Sequence, residues 1–365
     1  MSKVVVGLSG GVDSAVTAYL LKEQGYEVVG VTLRTWVDSD TEVSKCCEME
    51  DARRICLKLG IPYHIQNVGK DFCKYVTTPF VSEYINGRTP SPCVECNRYV
   101  KFAGMRYVAE LLQADFIATG HYARVVRLPN GRYSVQHTPT SKDQTYMLYK
   151  LTQDQLSALL MPLCDYTKAE VREIARKAEI PVAEKSDSQE ICFVEDGCYP
   201  QYVTERAKTV FADNYEKIAN RLGPGNFVDG EGKILGEHKG IIRYTIGQRK
   251  GLGLAFGHPV YVREIRPETN EVVLCEEETL WGSKITCTDL NFMSIEEPAA
   301  GETIRAKVKI RYRHDGEWAD LKMQEDGRVL ITFEKAVRAA TPGQAAVFYD
   351  ENGYVIGGGK ICELR

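Results

Sequence analysis

The sequence predicts a mixed α/β protein in three parts. A doubly wound parallel-sheet domain is expected over residues 1–198, a small glycine-rich central domain over residues 199–280, and a β-barrel over residues 281–365. Three observations predict this. Strand-like and helix-like periods alternate through the first half, glycines crowd residues 223–257, and alternating apolar runs broken by turn signals fill the remainder.

Taken in order, "KVVVGL" reads as a buried strand and residues 15–24 as a helix stopped by Gly25. "YEVVGVTL" is the next strand. "EMEDARRICLKLG" then places Ala52, Ile55, Cys56 and Leu59 on one helical face, with Gly60 as terminator and Pro62 beyond. "YHIQNV" is again a strand, residues 101–112 are helical, and "DFIATGHY" is a buried strand ending in polar residues. "KAEVREIARKAEIP" is a further amphipathic helix. Such alternation implies a parallel sheet covered on both faces, with ligands at the carboxyl ends of its strands.

The character changes after Phe193. Glycines recur at 223, 225, 230, 232, 236, 240, 247, 251, 253 and 257 between short strand-like pieces. From Trp281 the pattern is all-β, and Asp326-Gly327 and Asn352-Gly353 each lie between alternating apolar runs as hairpin signals.

A chain of 365 residues is long enough for two or three cores. Its 44% hydrophobic and 26% charged content is that of a soluble globular protein. With no membrane-length apolar run and no signal-peptide pattern, a cytoplasmic monomer is expected. A net charge of −4 excludes a uniformly basic nucleic-acid binder but leaves room for local basic surfaces. Twelve cysteines exceed what packing alone asks for, and point to thiol, metal or persulfide chemistry rather than a disulfide framework.

The first chemical signal is "GLSGGVDS", residues 7–14, between the first strand and the first helix. Backbone N–H groups of such a turn converge on an anion, and the following helix adds its positive end. Gly10 and Gly11 allow close approach and positive φ, Ser9 and Ser14 add hydroxyl donors, and Asp13 is placed to cap the helix or hold magnesium. No Gly-Lys-Ser/Thr follows, so a Walker loop with its lysine on the terminal phosphate is not indicated. "SGGVDS" after an N-terminal strand resembles the PP-loop of ATP pyrophosphatases, with their adenine nucleotide alpha hydrolase-like fold. That resemblance implies cleavage of ATP between its α- and β-phosphates to adenylate a substrate, without naming the substrate.

"RTPSPCVECNRYVKF" sets Cys93 and Cys96 as C-x-x-C where a helix opens, with Arg98 and Lys101 adding positive charge, an arrangement that favours a thiolate. Cys192 follows in "EKSDSQEICFVEDG". One C-x-x-C is half a zinc site, whereas three cysteines can hold an iron–sulfur cluster with one iron open. Cys56, Cys73, Cys164, Cys275, Cys287 and Cys362 read as buried small hydrophobes. Cys46 and Cys47 lean the same way, and Cys198 is left open.

Together "GLSGGVDS", "CNRYVKF", "ATGHYARV", "KDQTYMLY", "SDSQEICF", "YTIGQRKGLG" and "TPGQAAVFY" resemble the tRNA-specific 2-thiouridylases over essentially the whole chain. The resemblance implies ATP-dependent replacement of the wobble uridine C2 oxygen by sulfur. Cys192 is then the persulfide carrier and Cys96 the nucleophile or resolving thiol. ATP, with magnesium, falls to Gly7, Leu8, Ser9, Gly10, Gly11, Val12, Asp13, Ser14, Leu33 and Gly120. Ser91, Pro92, Cys93, His121, Lys142, Asp143, Gln144, Arg311, Tyr312 and Gln344 fall to tRNA. The sulfur donor is expected to be a cysteine desulfurase or a persulfide relay protein. Many family members carry an aspartate where this chain has Cys93, so a second route stays open, through a 4Fe-4S cluster on Cys93, Cys96 and Cys192.

"IRAKVKIRYR", residues 304–313, offers an acidic protein a local basic row for the tRNA that the resemblance implies. At period two, Ile304, Ala306, Val308, Ile310 and Tyr312 face one way, and Arg305, Lys307, Lys309, Arg311 and Arg313 the other, about 6.8 Å apart. Lys239, Arg243, Arg249 and Lys250 form a second basic group. Both suit phosphates. Two competing readings are a PP-loop ligase for a small metabolite, which has no use for the basic strand, and a non-enzymatic tRNA- or metal-binding module, which has no use for an intact loop.

Overall fold

The computed structural model describes residues 1–35, 49–186, 191–194 and 198–364. Cys46 and Cys47 lie outside the described residues.

Strands β1 (Lys3–Gly7), β2 (Glu27–Arg34), β3 (Tyr63–Asn67) and β4 (Phe116–Ala118) are parallel. A hairpin, β5 (Arg124–Arg127) and β6 (Tyr133–Gln136), precedes the short β7 (Leu159–Leu160). The sheet order is β3-β2-β1-β4-β7. Side chains alternate across it, as the strand period requires. Val4 and Val6 pack with Ala15, Val16, Ile55 and Val171 on one face, while Val5, Val31 and Ile117 pack with Phe102, Met105 and Ala109 on the other. The sheet is thus doubly wound. After β3 the chain crosses back past β1 to lay down β4, so the order reverses between β1 and β4, and their carboxyl ends open a crevice there.

The central sheet has the order β10-β11-β8-β9, from β8 (Gly225–Val228), β9 (Ile234–His238), β10 (Tyr261–Arg266) and β11 (Glu271–Cys275). The last six strands are β12 (Trp281–Phe292), β13 (Thr303–Lys309), β14 (Glu317–Met323), β15 (Val329–Arg338), β16 (Ala345–Tyr349) and β17 (Val355–Leu364). They close a barrel as β12-β15-β14-β13-β16-β17. The expected hairpins are present, but their turns run over residues 325–327 and 351–353 rather than over two residues. Gln324 N–H donates to Arg328 O at 2.8 Å and Asp350 N–H to Tyr354 O at 3.0 Å, with Gly327 and Gly353 at φ 75° and 77°. A glycine with positive φ closing a three-residue loop is the next commonest hairpin solution. The same turn joins β5 to β6 through Gly131 and β8 to β9 through Gly232.

The barrel sits against the first domain. Tyr146 Oη donates to Ala345 O at 2.8 Å, and Asn291 Nδ2 to Tyr149 O at 2.7 Å. Among the described residues no helix is long and apolar enough to cross a membrane.

Candidate functional site

The glycine-rich loop leaves β1 at Gly7 and enters the Val12–Glu23 helix, whose N-cap is Gly11. Gly10 has φ 73°, whereas Gly11 has φ −99°, so positive φ is needed only at Gly10. Ser14 Oγ donates to Gly11 O at 3.0 Å and accepts from Ser9 N–H at 3.3 Å. These bonds fold the loop around its own hydroxyls. The helix has no side-chain cap, so Asp13 does not cap it. Its carboxylate instead accepts from Tyr122 Oη at 2.8 Å and, on both oxygens, from Lys168 Nζ at 2.8 Å.

The loop lacks a lysine of its own, but the fold brings two to it. Lys168 arrives on the first residue of the Lys168–Lys177 helix. Lys185 Nζ donates to Gly10 O at 3.3 Å and pairs with Asp51 Oδ2 at 2.9 Å. Burial lowers the pKa of Lys185. Sequence reasoning missed both, because nothing local marks a lysine 155 or 175 residues from its partner.

Across the crevice, Gly120 lies directly on the loop. A Cβ there would stand 2.7 Å from Asp13 C and 2.8 Å from Ser14 N. His121 Nδ1 bonds Thr119 Oγ1 at 2.8 Å, and its ring packs at 5.7 Å from Phe102. Burial, and then the charge of Lys101, holds its pKa well below the usual imidazole range, so His121 is neutral at physiological pH. Leu33 ends up near the carboxyl end of β2, with its side chain turned into the core against Gly104.

The C-x-x-C lies on a continuous helical run, Pro92–Glu95, then a π-helical turn Cys96–Lys101, then Phe102–Leu111. Cys93 is exposed in the first turn, and Cys96, half-buried, begins the π turn instead of the helix. Widened turns of this kind recur at functional sites. The run is braced by Tyr99 stacked on Tyr75 at 4.7 Å, from a second π turn, Cys73–Thr77. Cys192 packs against the same core, and the next residue, Phe193, sits edge-on to Phe72 at 5.4 Å and Phe80 at 5.1 Å. Both cysteines therefore pack against one continuous hydrophobic core. Among the described residues no group of three His, Cys, Asp or Glu side chains is gathered for a metal, so Cys93, Cys96 and Cys192 do not form a ready cluster site. Cys56 and Cys287 are buried as expected, and Cys73, Cys164, Cys275 and Cys362 are half-buried. Burial pushes Cys56 and Cys164 up to about 11, which leaves both as inert thiols.

The remaining tRNA candidates gather along the seam between barrel and first domain. Gln344 Nε2 donates to Thr89 O at 3.0 Å and Pro90 O at 3.2 Å, tying the barrel to the loop that leads to Ser91 and Pro92. Tyr312 Oη donates to Asp143 O at 2.9 Å. The Asp143 carboxylate turns back onto Thr138 N–H and Thr145 Oγ1, and Gln144 Oε1 accepts from Tyr122 N–H at 3.0 Å. Lys142 is half-buried beside them. The five-cation row is shorter than expected. β13 ends at Lys309, so the alternation places only Arg305, Lys307 and Lys309 on the outer face, and Arg305 is paired with Glu334. Beyond it Tyr312 is exposed and Arg311 Nη1 donates to Arg338 O at 3.3 Å. Lys239, Arg243, Arg249 and Lys250 are all exposed.

Three family models match in sequence. One described as tRNA methyl transferase HUP domain matches residues 2–196. One described as tRNA methyl transferase PRC-barrel domain matches residues 215–276, and one described as aminomethyltransferase beta-barrel domain matches residues 282–361. The chain is 49% identical over 371 residues to a tRNA-specific 2-thiouridylase of Lachnoclostridium phytofermentans, covering all of both chains. It is 46% identical over 370 residues to the protein of that description in Clostridium perfringens, covering 99% of each. Among solved structures, a 4-thiouridine synthetase–RNA complex with bound ATP is 17% identical with a TM-score of 0.35, over 59% of this chain and 53% of that one.

Proposed function

The chain belongs to the tRNA-specific 2-thiouridylase family, and on that premise we propose that it thiolates the wobble uridine of tRNA at the expense of ATP. The observation that carries the reading is the SGGVDS loop at the point where the sheet order reverses, in a chain 49% identical to a named 2-thiouridylase from end to end. Methyl transfer, the chemistry in the family models' descriptions, has no use for such a phosphate cradle.

The uridine C2 carbonyl is a poor electrophile with a poor leaving group. Its oxygen attacks the α-phosphorus of ATP and pyrophosphate leaves, held by the N–H groups of residues 8–14. Magnesium would come with the nucleotide phosphates and supply charge neutralisation there, and Asp13, paired with Lys168 in this structure, would be the carboxylate beside the loop to hold it. The terminal sulfur of a Cys192 persulfide then attacks C2 and AMP departs with the former oxygen. Cys96 thiolate attacks Sγ of Cys192, which releases 2-thiouridine and leaves a Cys96–Cys192 disulfide. An external dithiol reduces it, and a sulfur donor reloads Cys192. No step needs a cluster.

The division of labour is a catalytic unit over residues 1–198 and tRNA-contacting units over residues 199–280 and 281–365. The target base is splayed out towards the cysteines while Arg311, Tyr312, Gln344 and the exposed lysines hold the anticodon arm. The test is modification of unmodified tRNA with ATP and a persulfide donor, reading 2-thiouridine by mass spectrometry. Iron-free protein is expected to be active, and Cys96→Ser and Cys192→Ser inactive in thiolation yet able to release pyrophosphate. Absence of product with competent donor, with or without reconstituted iron, counts against the assignment.

A further inference from the structure

The loop that opens the chain has no lysine, yet a lysine ammonium already stands at its rim. Lys185 Nζ is 3.3 Å from Gly10 O, the carbonyl at the apex of the loop and the residue whose positive φ shapes it. Its counter-ion is Asp51 Oδ2 at 2.9 Å, on the third residue of the Met49–Leu59 helix. The Gly10 carbonyl is neutral, and Asp51 is shared with Arg54 at 3.8 Å.

We propose that Lys185 supplies the phosphate-binding cation that the loop itself lacks, leaving Asp51 for the pyrophosphate half of ATP as the nucleotide enters. This rests on the reading of residues 7–14 as a pyrophosphate loop and names a residue that completes it. Burial already disfavours the charge on Lys185, and a polyanion at the loop would favour it.

The proposal separates from a structural role by the sign of two variants. If Lys185 binds phosphate, Lys185→Gln weakens the protein's affinity for inorganic pyrophosphate and for ATP by about ten- to a hundredfold. Adenosine is then bound as before, and Lys185→Arg retains most of the phosphate affinity. Asp51→Asn, which frees the lysine from its counter-ion, leaves pyrophosphate binding unchanged or tighter. Were Lys185 only a strut between the loop and Asp51, Asp51→Asn would weaken pyrophosphate as Lys185→Gln does, and both variants would lose adenosine too. Isothermal calorimetry with pyrophosphate, ATP and adenosine, on variants whose thermal unfolding matches the parent, reads all of this. Unchanged pyrophosphate affinity in Lys185→Gln overturns the proposal alone. Failure of the parent protein to bind pyrophosphate or ATP overturns the loop reading and the proposal together.

Discussion

Lys168 Nζ lies 2.8 Å from each carboxylate oxygen of Asp13, 155 residues away in the chain, and Tyr122 Oη completes the group at 2.8 Å. Two separate segments thus converge on the second residue of the helix that follows the glycine-rich loop. Removing the cation leaves a half-buried carboxylate with one neutral donor. Lys168→Met is expected to cost about 1.5–3 kcal/mol, and Tyr122→Phe nearer 1 kcal/mol, by urea denaturation. The double variant Lys168→Met/Asp13→Asn should cost less than the sum of its parts, because each single change strands the other charge. Simple additivity would show that the contact contributes nothing to folding.

Glycines at the loop separate shape from chemistry. Gly120→Ala puts a methyl group 2.7 Å from Asp13 C, against backbone that cannot step aside. It should destabilise by about 1–3 kcal/mol, with loss of ATP binding. At Gly11 a Cβ meets only Ser9 Oγ, at 3.4 Å, and φ is −99°. Gly11→Ala should therefore fold at near-parent stability yet bind pyrophosphate poorly, because the methyl group crowds Ser9 Oγ, one of the loop's own hydroxyls. A thermal melt beside a pyrophosphate titration distinguishes the two.

The parts legible in the sequence were those carried by local pattern. β1 and β2 could be read as short apolar runs because the sheet buries both their faces, and the Met49–Leu59 and Lys168–Lys177 helices and the barrel hairpins because burial on one face imposes a period of 3.6 or 2. β7 could not, since two residues carry no period. The β5–β6 hairpin announced itself through Asn130-Gly131 and went unread beside the stronger motif around it. The basic row was over-extended because alternation in "IRAKVKIRYR" continues past the last ladder pair, where the chain turns at Arg311 and Tyr312. In the candidate site, the loop was legible and its lysines were not. Contacts such as Lys185 to Gly10 exist only once the sheet has closed.

Lys150 offers a test of how the barrel docks. Its side chain is 5% exposed and bonds both oxygens of Glu95, at 2.8 and 3.0 Å, and Asp289 Oδ2, at 2.5 Å. Glu95 directly precedes Cys96, and Asp289 belongs to β12 of the barrel. Lys150→Met leaves two carboxylates facing each other without a cation and should cost about 3–5 kcal/mol. Glu95→Gln keeps an acceptor and should cost less. Because the network fixes the helical turn under Cys96, alkylation of Cys96 by iodoacetamide should speed up in Lys150→Met. An unchanged rate would mean that the network supports the barrel but not the thiol.

The histidines set the acid limit of stability. His121 has its pKa held well below the usual range by burial and by Lys101, and burial lowers His238 and His314 as well. In the unfolded chain each titrates near about 6.5. Below that value the unfolded state takes up a proton that the folded state refuses, so unfolding is favoured as pH falls. The slope is at most about 1.4 kcal/mol per pH unit for each such group. Glu170, Glu179 and Asp326, whose pKa values are lowered by hydrogen bonds and ion pairs, act in the same direction. Their contribution is lost only near and below their ordinary carboxylate range, so the interval from pH 6.5 down to 5 belongs to the histidines. Urea midpoints measured across that interval should fall for the parent protein. They should fall less for His121→Asn, which keeps a hydrogen-bonding group beside Thr119 but cannot take the proton, so the two stability curves converge as the solution is acidified. Parallel curves would mean that His121 is protonated in the folded protein, and the neutral imidazole at the end of β4 would have to be abandoned.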